Sequence, residues 1–473
     1  MKLKGLSKKY KITLIMIMMF IIVSVIVGIS YALWQIIEYQ TNSNIVESGC
    51  LKIKFEELSN SINLNNSYPI SAVEASGLTP YKFKITNDCS LATNYYVTLN
   101  TINGANMIDE DLVRVSVLPY ELFSSKFVLS DYEINIDTYG LEISNLKQSY
   151  IMDKGYLNPK ETVTYDAYIW IDESATNAIA GHQFEASIDV IAVATAQLAT
   201  IRQSSAGTSP LVASSTIKNS IRIIEFVDHV NVPENALASY DISANQDGSI
   251  MSWYIQSGTA GTSDGGVITA YKLFVGQVGG VVANQDSSNL FKDFKILNTI
   301  NLEALDTSLV KNMNNMFSNV SSNYRFASTY NLDFDTSNVL TMRDMFTSTG
   351  SGSNSSNGLT INFGNQFNTS KVVNMQNMFA SAGNYKTIIN FNGNFKTDDV
   401  IDMRNMFHKF GKNSTMELDL RNFNFDNVIF ASDMFTDFSV NKKIYVKNTV
   451  DADWLRNTGF TGTIVDCSSI VCS

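Results

Sequence analysis

A single phrase recurs five times between residues 307 and 435, and this repetition constrains the fold more than any other feature. Each copy has a Thr-Ser or comparable polar residue, then Val, then Met three residues later, then a Met-Phe pair; the fifth copy is degenerate. Successive Met-Phe pairs lie 29, 33, 28 and 28 residues apart. Such a period is typical of stacked structural units. The predicted repeat core is Val310, Met313, Met316, Phe317, Val339, Met342, Met345, Phe346, Val372, Met375, Met378, Phe379, Val400, Met403, Met406, Phe407, Val428, Met434 and Phe435.

The spacing inside each copy predicts an α-helix, because Val and the residues three, six and seven positions later would share one helical face. The polar residue ahead of each Val would be the helix N-cap. A short alternating run precedes each copy, for example Ile361-Asn362-Phe363, and predicts a strand with one buried face. The predicted unit is therefore a strand and a capped helix, stacked into an α/β leucine-rich-repeat-like solenoid.

The outward residues of these predicted strands form a candidate binding face. They are amides and charged groups, which can hydrogen-bond a protein or a glycan. The alternative, that each is simply a solvated surface position, stays open. The residues are Asn301, Glu303, Asn331, Asp333, Asn362, Asn390, Asn392, Asp419 and Arg421.

The repeat phrase resembles a known bacterial repeat. "DTSNVLTMRDMF" is similar to the 26-residue repeat of BspA-like leucine-rich-repeat surface proteins. The preceding segments, "YDISANQDGSIMSWYI" and "YKLFVGQVGGVVANQDSSNLF", resemble the module that comes before the repeats in that family. The resemblance covers about 220–466, roughly half of the chain. It implies adhesion, through contact with a host or with other cells.

The N-terminal residues predict passage into or across a membrane. Five lysines precede an uncharged run from Ile12 to Trp34, which is long enough to span a bilayer. Lysines on that side keep the N-terminus inside and send the rest of the chain out, which predicts a single-pass protein at the bacterial cell surface. Cleavage near Ala32 is the alternative, and it would release a secreted protein.

Residues 45–195 contain short alternating runs separated by Asn, Gly and Pro, which predict an antiparallel β-sandwich. "GCLKIKF" and "YKFKITNDC" resemble exported sandwiches of the TasA and camelysin type. Camelysin is classed as a metallopeptidase, but this chain has no HExxH motif, and its histidines, His182, His229 and His408, are scattered. We therefore predict no catalytic residue, no metal site and no cofactor.

The four cysteines suit an exported chain, where disulfides persist. Cys50 and Cys89 both lie in the predicted sandwich, and Cys467 and Cys472 lie near the C-terminus. Each pair is a disulfide candidate, with reduced thiols as the alternative.

These observations divide the chain into six predicted parts. They are a Lys-rich tip with a transmembrane or signal helix at 1–40, the sandwich at 45–195, a linker at 196–219, a β-rich cap at 220–297, five strand–helix repeats at 298–438, and a closing strand with a tail at 439–473.

The net charge of −11 argues against nucleic acid as a partner. We predict a non-enzymatic cell-surface adhesion protein that binds an extracellular protein or glycan. The alternative is a secreted fibre or matrix subunit that assembles through the sandwich. Oligomeric state is not set by the sequence.

Overall fold

The computed structural model describes residues 53–58, 68–104, 106–135, 145–175, 179, 181–193, 199–205, 207–352, 358–411, 415–438 and 441–468. Within these ranges, no helix is both long enough and apolar enough to cross a membrane. This finding corrects the predicted single-pass membrane localisation. The segment on which that prediction rested, Ile12 to Trp34, lies outside the described residues.

The first half of the described chain forms two antiparallel sheets around one core. Their orders are β1-β2-β7-β4 and β5-β6-β3-β8. Alternation in the sequence sets which side chains are buried; in β2, for instance, every second residue from Tyr81 faces the core. The strands are β1 (Ile53–Glu57), β2 (Tyr81–Asn87), β3 (Thr93–Ile102), β4 (Val113–Pro119), β5 (Glu133–Ile134), β6 (Leu146–Leu157), β7 (Thr162–Ile171) and β8 (Ala186–Val193). A short helix, α1 (Ala72–Ser76), precedes β2.

Aromatic side chains organise the sandwich core. The ring of Tyr165 stacks on Phe83 with centroids 5.1 Å apart, and its hydroxyl lies 2.8 Å from that of Tyr95. Gly155 pairs with Tyr95 across β3 and β6, and a Cβ there would lie 2.2 Å from the Tyr95 ring. This glycine therefore makes room for the tyrosine.

A mixed five-stranded sheet of order β10-β11-β12-β9-β14 follows the sandwich. Residues of the predicted linker contribute to its core: Ile201, Leu211 and Val212 are all buried. The elements here are α2 (Ser215–Lys218), β9 (Ile221–Val227), β10 (Ala238–Asp241), β11 (Met251–Gly261), β12 (Val267–Gly276), β13 (Val281–Val282), β14 (Thr299–Asn301) and β15 (Leu305–Asp306).

The repeats stack through parallel strands along one side of the molecule. Two three-stranded parallel sheets, β16-β17-β18 and β19-β20-β21, run through them. The elements are β16 (Ser328–Leu332), β17 (Leu359–Phe363), β18 (Thr387–Asn390), β19 (Thr415–Asp419), β20 (Asn441–Val446), α3 (Thr449–Asn457) and β21 (Thr463–Asp466). Among the predicted repeat core residues, Val428 is half-buried and all the others are buried.

The predicted helices of the repeats are wrong, so the region is not an α/β leucine-rich-repeat solenoid. The Val-to-Phe phrase instead forms tight turns on the side opposite the strands, and the residue before each Met-Phe pair has a φ between 55° and 58°. An α-helix cannot continue through a left-handed residue. Those five residues are Asn315, Asp344, Asn377, Asn405 and Asp433.

Backbone hydrogen bonds in these turns alternate between two partners. Met316 N donates to Met313 O within its own turn, at 3.1 Å. Phe317 N donates to Met345 O of the next copy, at 2.8 Å. The apolar residues thus share a buried face because each turn is stacked on the next, and not because they lie along a helix.

The predicted N-cap threonines have another role. Thr369 donates its hydroxyl to Lys396 O at 2.6 Å and accepts from Lys396 N at 2.7 Å. Thr336 and Thr397 make the same pair of bonds to the following copy. We call each such pair a threonine clip. The three threonines are buried, so the clips give their hydroxyls partners within the protein and pair a backbone N–H and C=O of the next copy.

A column of phenylalanine rings runs through the core. Phe346, Phe379 and Phe407 stack with centroid separations of 5.4 and 5.5 Å and interplanar angles of 3° and 8°. Stacked strands lie about 4.8 Å apart, so one ring per copy fills the column. At the C-terminal end, Trp454 of α3 stacks on Phe425 at 4.3 Å and covers the last copy.

The structure contains one more repeat than the sequence predicts. Asn289 and Asp293 have positive φ values, four residues apart, as in the other turns. Phe291 N donates to Met316 O at 2.9 Å, and the Phe291 ring lies 4.9 Å from that of Phe317. The segment 287–293 is therefore a degenerate first turn within the predicted cap.

The sandwich packs against the turn side of the repeats. Lys311 of the first repeat donates to Asp153 at 2.6 Å, and both side chains are almost fully buried. Lys126 pairs with Asp399, and Leu122 packs on Val373. Among the described residues, the sandwich leaves the outward face of the repeat strands, on the other side, uncovered.

Candidate binding face

The strands β16, β17 and β18 present a regular outward surface. Their parallel register places Asn331 beside Asn362 and Asn362 beside Asn390. The alternate residues on each strand are buried, so these three asparagines point away from the core. We call these three residues the asparagine row.

Hydrogen bonds join the asparagine row from one strand to the next. Asn362 Nδ2 donates to Asn331 Oδ1 at 2.7 Å, and Asn390 Nδ2 donates to Asn362 Oδ1 at 2.6 Å. Each amide carries two N–H groups, and the row uses one from Asn362 and one from Asn390. The row is therefore held in position and still retains donors for a ligand.

Charged pairs extend the outward face toward the C-terminus. Arg421 donates to both carboxylate oxygens of Asp419, at 2.9 and 2.6 Å. Burial raises the pKa of Asp419, but the hydrogen bonds from Arg421 outweigh it, and the net pKa shift is downward. The Tyr445 hydroxyl, followed by Lys443, lowers the pKa of Glu417 through hydrogen bonds. The centre of the face thus carries neutral amides, and its C-terminal end carries charged pairs.

The side chains of three other predicted face residues form hydrogen bonds with backbone groups. Asn301 accepts from the backbone N–H of Glu303 at 3.0 Å, and both residues are exposed. Asp333 accepts from Gln366 N at 2.8 Å. Asn392 donates to Phe367 O at 3.0 Å and accepts from Asn394 N at 2.7 Å. The nine predicted residues therefore do not form one continuous row.

Sequence reasoning missed several outward residues that lie in register with this face. Thr329 pairs with Thr360 two residues before the asparagine row, and Glu417 pairs with Lys443. Strand alternation identifies Thr329, Thr360 and Glu417, because each lies two residues from an already predicted position. Lys443 lies on β20, where no face residue was predicted.

The histidines lie apart from this face. The His229 ring lies 6.2 Å from that of Trp253, and His229 Nδ1 accepts from Asn231 N at 3.2 Å. His408 Nδ1 is buried, with no hydrogen-bond partner within the described ranges. Across the same ranges, no three His, Cys, Asp or Glu side chains group to hold a metal ion.

Two cysteines fall in the described chain, and both are disulfide-bonded. They are Cys89, buried at the end of the sandwich sheet, and Cys467, after β21. Their predicted partners, Cys50 and Cys472, lie outside the described residues. The pairing itself stays a prediction.

Comparison with known proteins identifies one similarity. No curated protein and no solved structure matches the chain. Residues 285–358 and 352–454 match a family described as "Mycoplasma protein of unknown function, DUF285". The match begins at the degenerate first turn and ends within α3. The repeat region is therefore similar to that family, over a little more than a third of the chain.

Proposed function

We propose that this chain is a non-enzymatic adhesion protein that works outside the cell and binds its ligand on the outward face of the repeat strands. The observation that carries the proposal is the asparagine row, whose amides are uncharged and fixed by their own hydrogen bonds; Asn331 and Asn390 are exposed and Asn362 between them is half-buried. A preordered row loses little side-chain entropy when a ligand binds, which favours affinity. Amides both donate and accept hydrogen bonds, so the ligand class is a glycan or a protein backbone.

Two further observations support action outside the cell. Cys89 and Cys467 are disulfide-bonded, and disulfides persist in oxidising compartments. The repeat phrase resembles the repeats of BspA-like surface proteins, whose role is adhesion, and the DUF285 match covers the same residues.

The alternative, a fibre subunit that grows by strand addition, needs an open sheet edge. Within the described residues, β1 is one of the four edge strands of the sandwich, and it carries Lys54 and Glu56. Hydrogen bonds from Lys54 and then Lys84 lower the pKa of Glu56 to about 2, so this edge stays charged. Charges on an edge strand disfavour pairing with another chain. We therefore rank adhesion first.

The test uses the full chain on beads, applied to arrays of glycans and of purified extracellular proteins. Each ligand found is then tested with the triple variant Asn331→Ala, Asn362→Ala, Asn390→Ala. We expect binding to fall at least about tenfold, since several hydrogen bonds of about 1 kcal/mol each are lost.

The matched control is Asn427→Ala. Asn427 also makes an inter-repeat hydrogen bond, to Asp398 O at 2.6 Å, but lies outside the strands. This variant removes one inter-repeat hydrogen bond where the triple variant removes two, and it should keep binding. Ligands that bind the triple variant as well as the native chain would place the site elsewhere.

A further inference from the structure

A cleft opens where the sandwich meets the repeats, on the side opposite the asparagine row. It encloses about 550 Å³, a size that holds a small sugar. One wall comes from β3 and β6 of the sandwich, including Asn94, Tyr96 and Lys154, and the other from the first three copies of the repeat phrase, including Ser308 and Lys371. The site exists only because the two modules pack together.

The charges in the cleft leave one cation without a carboxylate. Lys311 is paired with Asp153, and Lys154 is paired with Glu133 at 2.6 Å. Lys371 is exposed, and its ammonium donates to the neutral Asn338 Oδ1 at 2.8 Å. Among the described residues, no carboxylate pairs with Lys371. In a chain with a net charge of −11, this cleft is a local positive site.

Neutral groups complete the cleft. The Asn94 amide and the Ser308 hydroxyl have no side-chain hydrogen bond to any described residue, so both can take a ligand hydroxyl. Leu309 and Leu340 supply apolar surface, and the Tyr96 ring lies beneath Lys154, whose Nζ is 5.6 Å from the ring centroid. Amide and hydroxyl groups beside apolar patches suit the mixed surface of a sugar ring.

We infer that this cleft is a second binding site, which takes an acidic saccharide with its carboxylate on Lys371 and its ring hydroxyls toward Asn94 and Ser308. A carboxylate and an ammonium form an ion pair joined by a hydrogen bond, in which both partners are charged, and this is stronger than the bond from the Lys371 ammonium to the neutral amide of Asn338. The inference is independent of the adhesion proposal, because it uses the other side of the repeats.

The experiment titrates the full chain with two matched probe pairs by calorimetry. One pair is sialyllactose and lactose, and the other is a galacturonic acid disaccharide and its neutral galactose counterpart. We expect at least one acidic sugar to bind and its neutral match to bind about tenfold more weakly. Affinity should also fall as salt rises, because an exposed cation is screened.

Lys371→Gln should weaken acidic-sugar binding by about tenfold, the loss of one charge-assisted hydrogen bond. The control is Lys386→Gln, an exposed lysine outside the cleft, which should bind as the native chain does. Failure of both acidic sugars to bind would overturn the inference, as would equal binding of neutral and acidic probes or native-like binding by Lys371→Gln. The triple asparagine variant should bind the acidic sugar normally, so this result separates the two proposed sites.

Discussion

The sandwich and the repeat stack both bury aromatic rings, but they do so by different rules. In the sandwich, Tyr165 touches Phe83, Tyr95 and Asp153, and this set of contacts occurs once. In the stack, the contact between Phe346 and Phe379 recurs almost unchanged between Phe379 and Phe407. The sandwich is specified by contacts between distant residues, whereas the stack is specified by one contact that each copy repeats.

The first prediction tests the repeated contact and has the largest expected effect. Phe379→Ala removes a fully buried ring with a stacked neighbour on each side. We expect unfolding of the repeats to become easier by about 4 kcal/mol, the usual range for a buried Phe→Ala change. Urea unfolding followed by circular dichroism measures it.

The control is Phe326→Ala, because that ring is 48% exposed. It should change stability much less than Phe379→Ala. Equal effects of the two variants would show that the column of rings does not hold the stack together.

The second prediction concerns a buried carboxylate of the sandwich. Burial raises the pKa of Asp189 to about 6, although Ser187 and Asn100 donate hydrogen bonds to it. A raised pKa means that the folded state holds the proton more tightly. The stabilisation is therefore complete below the unfolded pKa near 3.9 and is lost as the pH rises through about 6.

This loss corresponds to about 2–3 kcal/mol. Thermal unfolding between pH 4 and pH 7 measures it, and Asp189→Asn should remove this part of the pH dependence. The exposed Asp131→Asn should leave the native profile in place. A native profile in the Asp189→Asn variant would exclude Asp189 as its source.

The third prediction concerns the hydrogen bonds between copies of the stack and has the smallest expected effect. Thr369→Val keeps the volume but removes the threonine clip, leaving the partly buried N–H and C=O of Lys396 without that partner. We expect a loss of about 1–2 kcal/mol. Thr369→Ser keeps the hydroxyl and should lose less; if serine costs as much as valine, the methyl packing matters and the clip does not.

The stacking period and the apolar phrase were readable from the sequence, but the turn was not distinguished from a helix. Residues three and four apart meet both on a helix and in tight turns that stack, so apolar spacing alone cannot decide. The residue before each Met-Phe pair could have distinguished the turn from a helix. It is always Asn or Asp, the residues that most readily adopt left-handed backbone after glycine.

The prediction of the candidate face succeeded only in part, because a local pattern does not show which distant groups a side chain contacts. The asparagine row follows from strand alternation, which the sequence displays directly. Asp333 and Asn392 also alternate, yet they bond to backbone groups beyond the strand ends, and only the three-dimensional course of the chain brings those groups near. The cleft was invisible to sequence reasoning, because it depends on how β6 and Lys371 approach one another across the junction.

The threonine clip has a consequence for how such a protein changes over generations. Since each clip joins a copy to its successor through the same two backbone atoms, an added or deleted copy meets a neighbour of the correct shape. Unequal recombination within the gene can then lengthen or shorten the outward face by one asparagine at a time, while α3 and Trp454 still cover the last copy. The length of the outward face is therefore an inherited property that changes by whole repeats.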